Sequence, residues 1–333
     1  MKNASLYFAL TGATSMAKTP SLGDIIVSND QQNFAASLAT EVVGYLAGLP
    51  SPDEEESLNL LAPLLMTGDF FNFPKAADEA FLTEIDGSDI RAIGGSFKRI
   101  EHRGTKVTLG TDQKGLTERV DHRTIPVVNG QRVAGWENRT ARGLMNRLTR
   151  ADKYRALGVI DGAANNNNVV WDAAGNPDAD IRAMVQRTRT KTGRLPTHLV
   201  VGSAAQMLRQ DSYEDAARAN HAMARHSEWT MEQLAAYASA GRGYVETGLI
   251  QTKKGAAKID QLGLAVYSYS ALAEPSINDP SNIKRTWSPT LSGGRWAVFI
   301  QEGAAWTDIT VFHQTKIFAP QTAGIEKLTP AAA

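Results

Sequence analysis

Three groups of residues could carry chemistry in this chain: six histidines, a run of four acidic residues, and a glycine-rich stretch dense in Lys and Arg. Of the histidines (His102, His122, His198, His221, His226 and His313), only His221 and His226 lie close together, with Glu228 beside them. Two metal ligands on one helical face want a spacing of four, and these are five apart, so they read as solvated side chains. His198 opens an apolar run and reads as structural. There is no cysteine, which removes disulfides, thiolate nucleophiles and cysteine-held zinc together. That suits a protein made in a reducing cytoplasm, or one that must survive later oxidation.

Asp53, Glu54, Glu55 and Glu56 could suggest paired carboxylates for acid–base work. They follow Ser51-Pro52 and read instead as the first turn of a helix, where negative charge suits the dipole. Gly241-Arg242-Gly243 with Gly248 lacks the spacing of a phosphate loop. Gly95-Ser96 and Gly202-Ser203 lack the flanks of a nucleophile elbow. Phe97 beside Lys98-Arg99 could stack and grip single-stranded nucleic acid, but an anchor packing its segment onto a support is the simpler reading. No catalytic, cofactor or metal site is expected, and the six tryptophans read as core or interface anchors.

What remains is the segment 88–121, which holds Arg91, Gly94, Gly95, Phe97, Lys98, Arg99, Ile100, Arg103 and Lys106. Thr105–Leu109 alternates as a strand does. The segment has too few apolar residues for a core of its own, and a lone hairpin is marginal in water, so it must lie on something else, in this subunit or a neighbour. As a hairpin it could reach about 40 Å, at ~3.3 Å per residue.

The elements around it follow from periodicity. Phe34, Leu38, Val42 and Leu46 fall at helical spacing between Asp30 and Gly48. A second helix should run from the acidic turn toward Met66, with a kink or early stop at Pro63. Residues 131–158 read as one long helix with Val133, Trp136, Leu144, Leu148 and Leu157 on one face and arginines, Arg139 and Arg142 among them, on the others. Gly143 in its middle costs up to ~1 kcal/mol and suggests a close packing contact. The Asn165–Asn168 run reads as a turn or loop, and Glu274–Gly294 as a long surface loop. Residues 178–208 form the clearest α/β unit: a helix capped by Asp178 or Asp180, Gly193 as its C-terminal stop, and the buried strand His198–Gly202. A helix over Thr230–Ser239 and strands at Tyr244–Gln251, Leu264–Tyr269, Trp296–Gln301 and Thr307–Phe312 complete the pattern.

The formal net charge is zero, which disfavours a simple nucleic-acid coat. It hides an asymmetry: residues 1–87 carry 3 basic and 12 acidic side chains, and residues 88–154 carry 14 basic and 7 acidic. Either these are two solvated faces of opposite sign, or the acidic third of one copy meets the basic segment of another, which would fix register more than affinity.

The order of elements, together with Gly94-Gly95-Ser96-Phe97-Lys98-Arg99-Ile100, the Arg139–Arg155 helix and Thr192–Gly202, resembles the major capsid proteins of tailed phages, which share the Hong Kong 97-type shell fold. The resemblance spans about residues 60–320. It implies an α+β subunit with an N-terminal arm and helices (1–60), a connection (61–87), an extended loop (88–121), a peripheral domain (122–178 with 302–325) built on a spine helix, and an α/β axial domain (179–301). It implies a structural protein that is not an enzyme and needs no cofactor. Its partners would be itself, in pentamers and hexamers of an icosahedral shell, packaged double-stranded DNA without sequence specificity, a portal, and possible scaffold and cement proteins, with no membrane. Its place would be the virion head, assembled in the host cytoplasm. The extended-loop residues named above would contact neighbouring subunits, as would Arg139 and Arg142 on the spine and Asp53, Glu54, Glu55 and Glu56. No long charged coiled coil precedes the shell region, so no fused scaffold or cleaved leader is expected. Some relatives crosslink loop lysines; Lys98, Lys106 and Lys114 could serve, but no partner Asn or assisting Glu is evident. An encapsulin-like compartment shares the fold and is the nearest alternative. A small α/β enzyme using 178–301 is the alternative of another class.

Overall fold

The computed structural model describes residues 25–28, 53–74, 106–125, 127–128, 131–132, 135–172, 174–219, 224–251, 253–289 and 294–332. In chain order the elements are β1 (Ile25–Ser28), α1 (Asp53–Leu61), β2 (Leu64–Met66), β3 (Phe70–Pro74), β4 (Lys106–Gly110), β5 (Asp112–Asp121), β6 (Val127–Val128), β7 (Gln131–Arg132), α2 (Trp136–Ala163), β8 (Asn165–Val170), α3 (Pro177–Thr192), β9 (His198–Gly202), α4 (Ser203–Ala219), α5 (Ala224–Ser227), α6 (Met231–Ala238), β10 (Arg242–Glu246), β11 (Leu249–Ile250), β12 (Ile259–Asp260), β13 (Val266–Tyr269), β14 (Lys284–Ser288), β15 (Trp296–Glu302), β16 (Trp306–Phe318) and β17 (Glu326–Ala331).

Strand β16 organises the first sheet. Along one edge it pairs antiparallel with β5, from Trp306↔Asp121 to Thr315↔Asp112. Its other edge is shared by β15 and β14, with β1 beyond β15 and β2 beyond β14. Alternation along β16 is strict, so its inward residues reach one layer. Ile309 and Val311, with Val298 and Ile300 of β15, pack on Ala141, Leu144 and Leu148 of α2.

The second sheet has the order β10-β9-β13-β17-β8 and is covered on both faces. That explains why β9 reads as an unbroken buried run rather than an alternating one. Leu199 and Val201 face α3 and α6 through Ile181, Met184 and Leu234. Val200 and Tyr267 face the other way, onto Ala156, Leu157 and Ile160 of α2 and Leu58 and Leu61 of α1. The 28-residue α2 is therefore a beam: its first half closes one sheet and its second half closes the other.

Several expectations need correction. The helix over 30–48 lies outside the described residues. α1 does stop before Pro63, and Leu64–Met66 continues as a strand. The long helix begins at Trp136 rather than 131, because Gly135 takes a left-handed φ of 74°. It then runs past Gly158 to Ala163. Among the described residues a Cβ on Gly143 would meet nothing within 4 Å, so no contact with them explains that glycine. The Asn165–Asn168 run, read as a turn or loop, lies in the strand Asn165–Val170, because β17 supplies a parallel backbone partner. Within the stretch read as loop, Lys284–Ser288 is a strand. α3 is capped by Asn176, whose side chain accepts the Ala179 N–H, rather than by Asp178 or Asp180; Gly193 ends it with φ 67°.

Candidate assembly interface

Strands β3 and β4 form a two-stranded antiparallel ribbon, from Phe70↔Gly110 at its base to Pro74↔Lys106 at its outer end. Alternation sends Phe71 and Phe73 inward, where their rings lie 5.5 Å and 4.8 Å from that of Phe318 at the end of β16. Val107, Leu109 and Ile277 complete this small cluster. The ribbon base is closed by the Thr111 N–H donating to Asp69 O at 2.9 Å and tied to the body by the Ser288 hydroxyl on Asp69. On the opposite face Phe70 is 80% exposed and lies over Gly110, where a Cβ would come 3.2 Å from its ring. Lys106 is exposed at the outer end. Arg91, Gly94, Gly95, Phe97, Lys98, Arg99, Ile100 and Arg103 lie outside the described residues.

The second half of the expected arm is held by its own subunit. β5 is zipped along its whole length to β16, and cross-strand pairs fix the register: Arg119 with Asp308 at 2.8 Å, Thr117 with Thr310 at 2.8 Å, Lys316 with Asp112 at 3.0 Å. Lys114 points inward, with its ammonium 3.0 Å from Asp152 and 3.0 Å from the Thr315 hydroxyl. Lys114, one of the three lysines considered for a crosslink, is thus engaged within its own chain.

Asp152 sits in a buried polar joint. Burial alone would raise its pKa, but the charges of Lys114 and Arg155, and of His313 whenever that ring is protonated, bring it below the usual carboxylate value. His313 stacks on Trp296 at 4.3 Å, and burial, opposed by Asp152 and reinforced by Arg295, pushes it down to about 3, so it is neutral. Glu55 is the other acid of this joint. Arg295 reaches it at 2.7 Å and Arg285 at 3.2 Å. Burial opposes its ionisation, yet the two guanidinium groups take its pKa down to about 2. Glu55, one of the acids expected at a contact between copies, fastens α1 to β14 and β15 of its own chain. Asp53 and Glu54 fall in the first turn of α1, and Glu56 is exposed. On α2, Arg139 is exposed and Arg142 half-buried.

A second joint links α2 to the five-stranded sheet. Lys153 Nζ lies 2.7 Å from Glu246 Oε1, both buried. The same oxygen accepts the Gly248 N–H at 2.7 Å, and Ser57 of α1 donates to Oε2 at 3.4 Å. A third surrounds Glu326 of β17, which Arg187 and Lys191 of α3 reach at 3.3 Å and 2.7 Å. Sequence reasoning missed these joints, because charges so far apart along the chain carry no local signal.

The region 178–301 does hold one constellation that an enzyme could use: Asp178, His226, Tyr213 and Arg209. Its geometry is that of a brace. Arg209 grips both oxygens of Asp178, at 2.6 Å and 3.1 Å, and donates to His226 O at 2.8 Å. His226 Nδ1 lies 3.0 Å from Asp178 Oδ2. The Tyr213 hydroxyl accepts the Asp178 N–H and reaches Asn176, and burial first, then Asp178, raises its pKa far above the usual value. Asp178 is thus saturated by a permanent cation and holds α3, α4 and α5 together. His198, hydrogen-bonded to Thr197 at 2.7 Å and stacked on Tyr269, is depressed by burial and by Arg242 to about 4. Among the described residues no three His, Asp or Glu side chains converge as metal ligands, and no helix is long and apolar enough to cross a membrane.

No family model matches the chain, and no curated protein sequence matches it. Solved structures do. A phage-related protein from Bordetella bronchiseptica is 13% identical, with a TM-score of 0.62 over 88% of this chain and 96% of that one. The capsid of cyanophage P-SCSP1u overlaps with a TM-score of 0.48 at 8% identity, covering 82% of this chain and 87% of that one. The holo-SrpI encapsulin of Synechococcus elongatus gives 0.47 at 10% identity, covering 83% and 86%. The fold is the Hong Kong 97-type α+β shell fold: a beam helix joining two sheets, with a ribbon leaving the first.

Proposed function

We propose that this chain is the major capsid protein of a tailed bacteriophage, a structural subunit that assembles with copies of itself into an icosahedral head around double-stranded DNA. The observation that carries the reading is the whole-subunit architecture, shared over 88% of the chain with a phage-related protein. The six-stranded sheet with the first half of α2 serves as the peripheral domain, and the five-stranded sheet as the axial domain that gathers subunits around five- and six-fold axes. The ribbon, continued by residues 75–105 with their Lys98, Arg99 and Phe97, reaches over a neighbour. Heterologous contacts of this kind close into rings. Buried joints at Glu55, Asp152 and Glu246 hold the subunit stiff, so that contacts totalling on the order of 2,000 Å² can recur in every copy. Portal, scaffold or cement proteins would meet the assembled surface, in the host cytoplasm.

Purified chain should sediment as large particles and show closed shells in negative stain, and nuclease-protected DNA should copurify when packaging components are present. Particles that instead enclose a protein cargo would mark an encapsulin-like compartment. A monomer or dimer at all concentrations would refute the shell.

A further inference from the structure

We infer that the β11–β12 hairpin of one subunit docks on the exposed flank of α4 in a second copy, a contact that rests on the shell reading and gives the axial ring one of its joints. Two surfaces of the five-stranded-sheet region complement each other in both charge and apolarity. The first is the hairpin. Leu249 is 48% exposed and Ile259 51% exposed, and Lys253, Lys254 and Lys258 stand exposed around its tip. The second is one stripe of α4. Met207, 64% exposed, is followed by exposed Asp211 and Glu214, at the i, i+4, i+7 spacing of a single helical face.

Among the described residues nothing in this chain pairs with the charges of either surface: the side chains of the three lysines, of Asp211 and of Glu214 have no ion-pair or hydrogen-bond partner there. By contrast Arg187 and Lys191 of α3 are paired to Glu326, and Arg209 of α4 to Asp178. The hairpin is also too well built to be an idle loop. Gly255 turns it with φ 81°, the Ala256 N–H closes onto Lys253 O at 3.0 Å, and Gln251 Nε2 donates to Ala256 O at 2.7 Å. Its base is clamped by the Gln261 N–H on Gly248 O at 2.8 Å. Just beyond that clamp, Gly263 abuts Gly202 so closely that a Cβ on Gly202 would collide with the Gly263 carbonyl oxygen. A rigid hairpin loses little entropy on docking. A patch and its complement at different places on one surface make a head-to-tail contact, the kind that closes into rings. Opposite charges steer and register such a contact, with apolar side chains beneath them.

The test is a charge swap on the full chain. Reversing Lys253, Lys254 and Lys258 to Glu should cut the yield of particles at low salt at least about tenfold, as should Asp211→Lys with Glu214→Lys; tenfold is about 1.4 kcal/mol. Combining both sets should restore the yield to within about threefold, since the pairs re-form with exchanged signs. Circular dichroism melts verify the fold of each variant, and Gln in place of Glu at the three lysines replaces any reversal that does not melt cooperatively. Wild-type shells with unchanged yield from either reversal would overturn the contact and leave the shell reading standing, as would a combination that fails to recover. A wild-type chain that gives salt-sensitive, swap-rescued small oligomers but no shells would overturn the shell reading and support the contact.

Discussion

Replacing Lys153 by Met should destabilise the unassembled subunit by about 3 kcal/mol. The two side chains of the Lys153–Glu246 pair are only 6% and 2% exposed, at 2.7 Å. Removing one partner of such a pair typically costs ~3–5 kcal/mol, because the other charge is left buried. Glu246 would keep the Gly248 N–H at 2.7 Å and the Ser57 hydroxyl at 3.4 Å, which places the cost at the lower end of that range. Adding Glu246→Gln removes the stranded charge while its amide oxygen still accepts from Gly248. The double variant should therefore cost only about 1 kcal/mol, on the order of 2 kcal/mol less than Lys153→Met alone. Urea unfolding followed by tryptophan fluorescence, at concentrations below assembly, measures the wild type, Lys153→Met, Glu246→Gln and the double variant. A single-variant loss under about 1 kcal/mol, or a double variant as costly as the two singles added, would refute the claim that this pair pins α2 to the five-stranded sheet.

Three further outcomes follow from the buried groups and glycines. His198 at about 4 and His313 at about 3 stay neutral in the fold while the unfolded chain takes up a proton at each near the ordinary 6.5. Stability should thus fall as pH drops from about 6 toward 4, by up to about 2.7 kcal/mol per pH unit, and His313→Gln should halve that slope in urea titrations. Glu55, at about 2 against the usual 4.5, contributes stability that is complete above 4.5 and lost as pH falls through 2, on the order of 3 kcal/mol, and Glu55→Gln should abolish that acid transition. Gly143→Ala should raise the melting stability of the subunit by up to ~1 kcal/mol, since the new methyl meets nothing within 4 Å, whereas Gly202→Ala should unfold it locally against Gly263 O; equal effects at the two sites would contradict the packing described.

Local signals make the helices and buried strands legible. Pro63 stops α1, Gly193 stops α3, and Thr230 with Gln233 closes a full capping box on α6. Where sequence and structure differ, a distant partner decides. Asn165–Asn168 has loop composition, yet β17 draws it into a ladder through backbone groups that any residue carries. Alternation alone ends β16 near Phe312, but pairing with β14 extends it to Phe318. Gly158 resembles a helix stop because glycine is costly in a helix, and packing of Ile160 in the core carries α2 past it. At the candidate interface, the basic ribbon is visible as composition, while the division at Gly110 between a ribbon paired to β3 and a strand zipped to β16 is not. Glu55 looks like one more acid of a capping run; only the fold brings Arg285 and Arg295 to it.

The central claim is that the subunit builds closed shells and that the ribbon with residues 75–105 is what joins copies. Pro74 and Lys106 are register partners, so a short turn can replace 75–105 without disturbing either sheet. Negative-stain microscopy of the full chain beside this shortened one is the most direct measurement. The full chain should give closed particles, and the shortened one a folded, soluble, unassembled subunit. Shells from the shortened chain, or none from the full chain under any assembly condition, would contradict it.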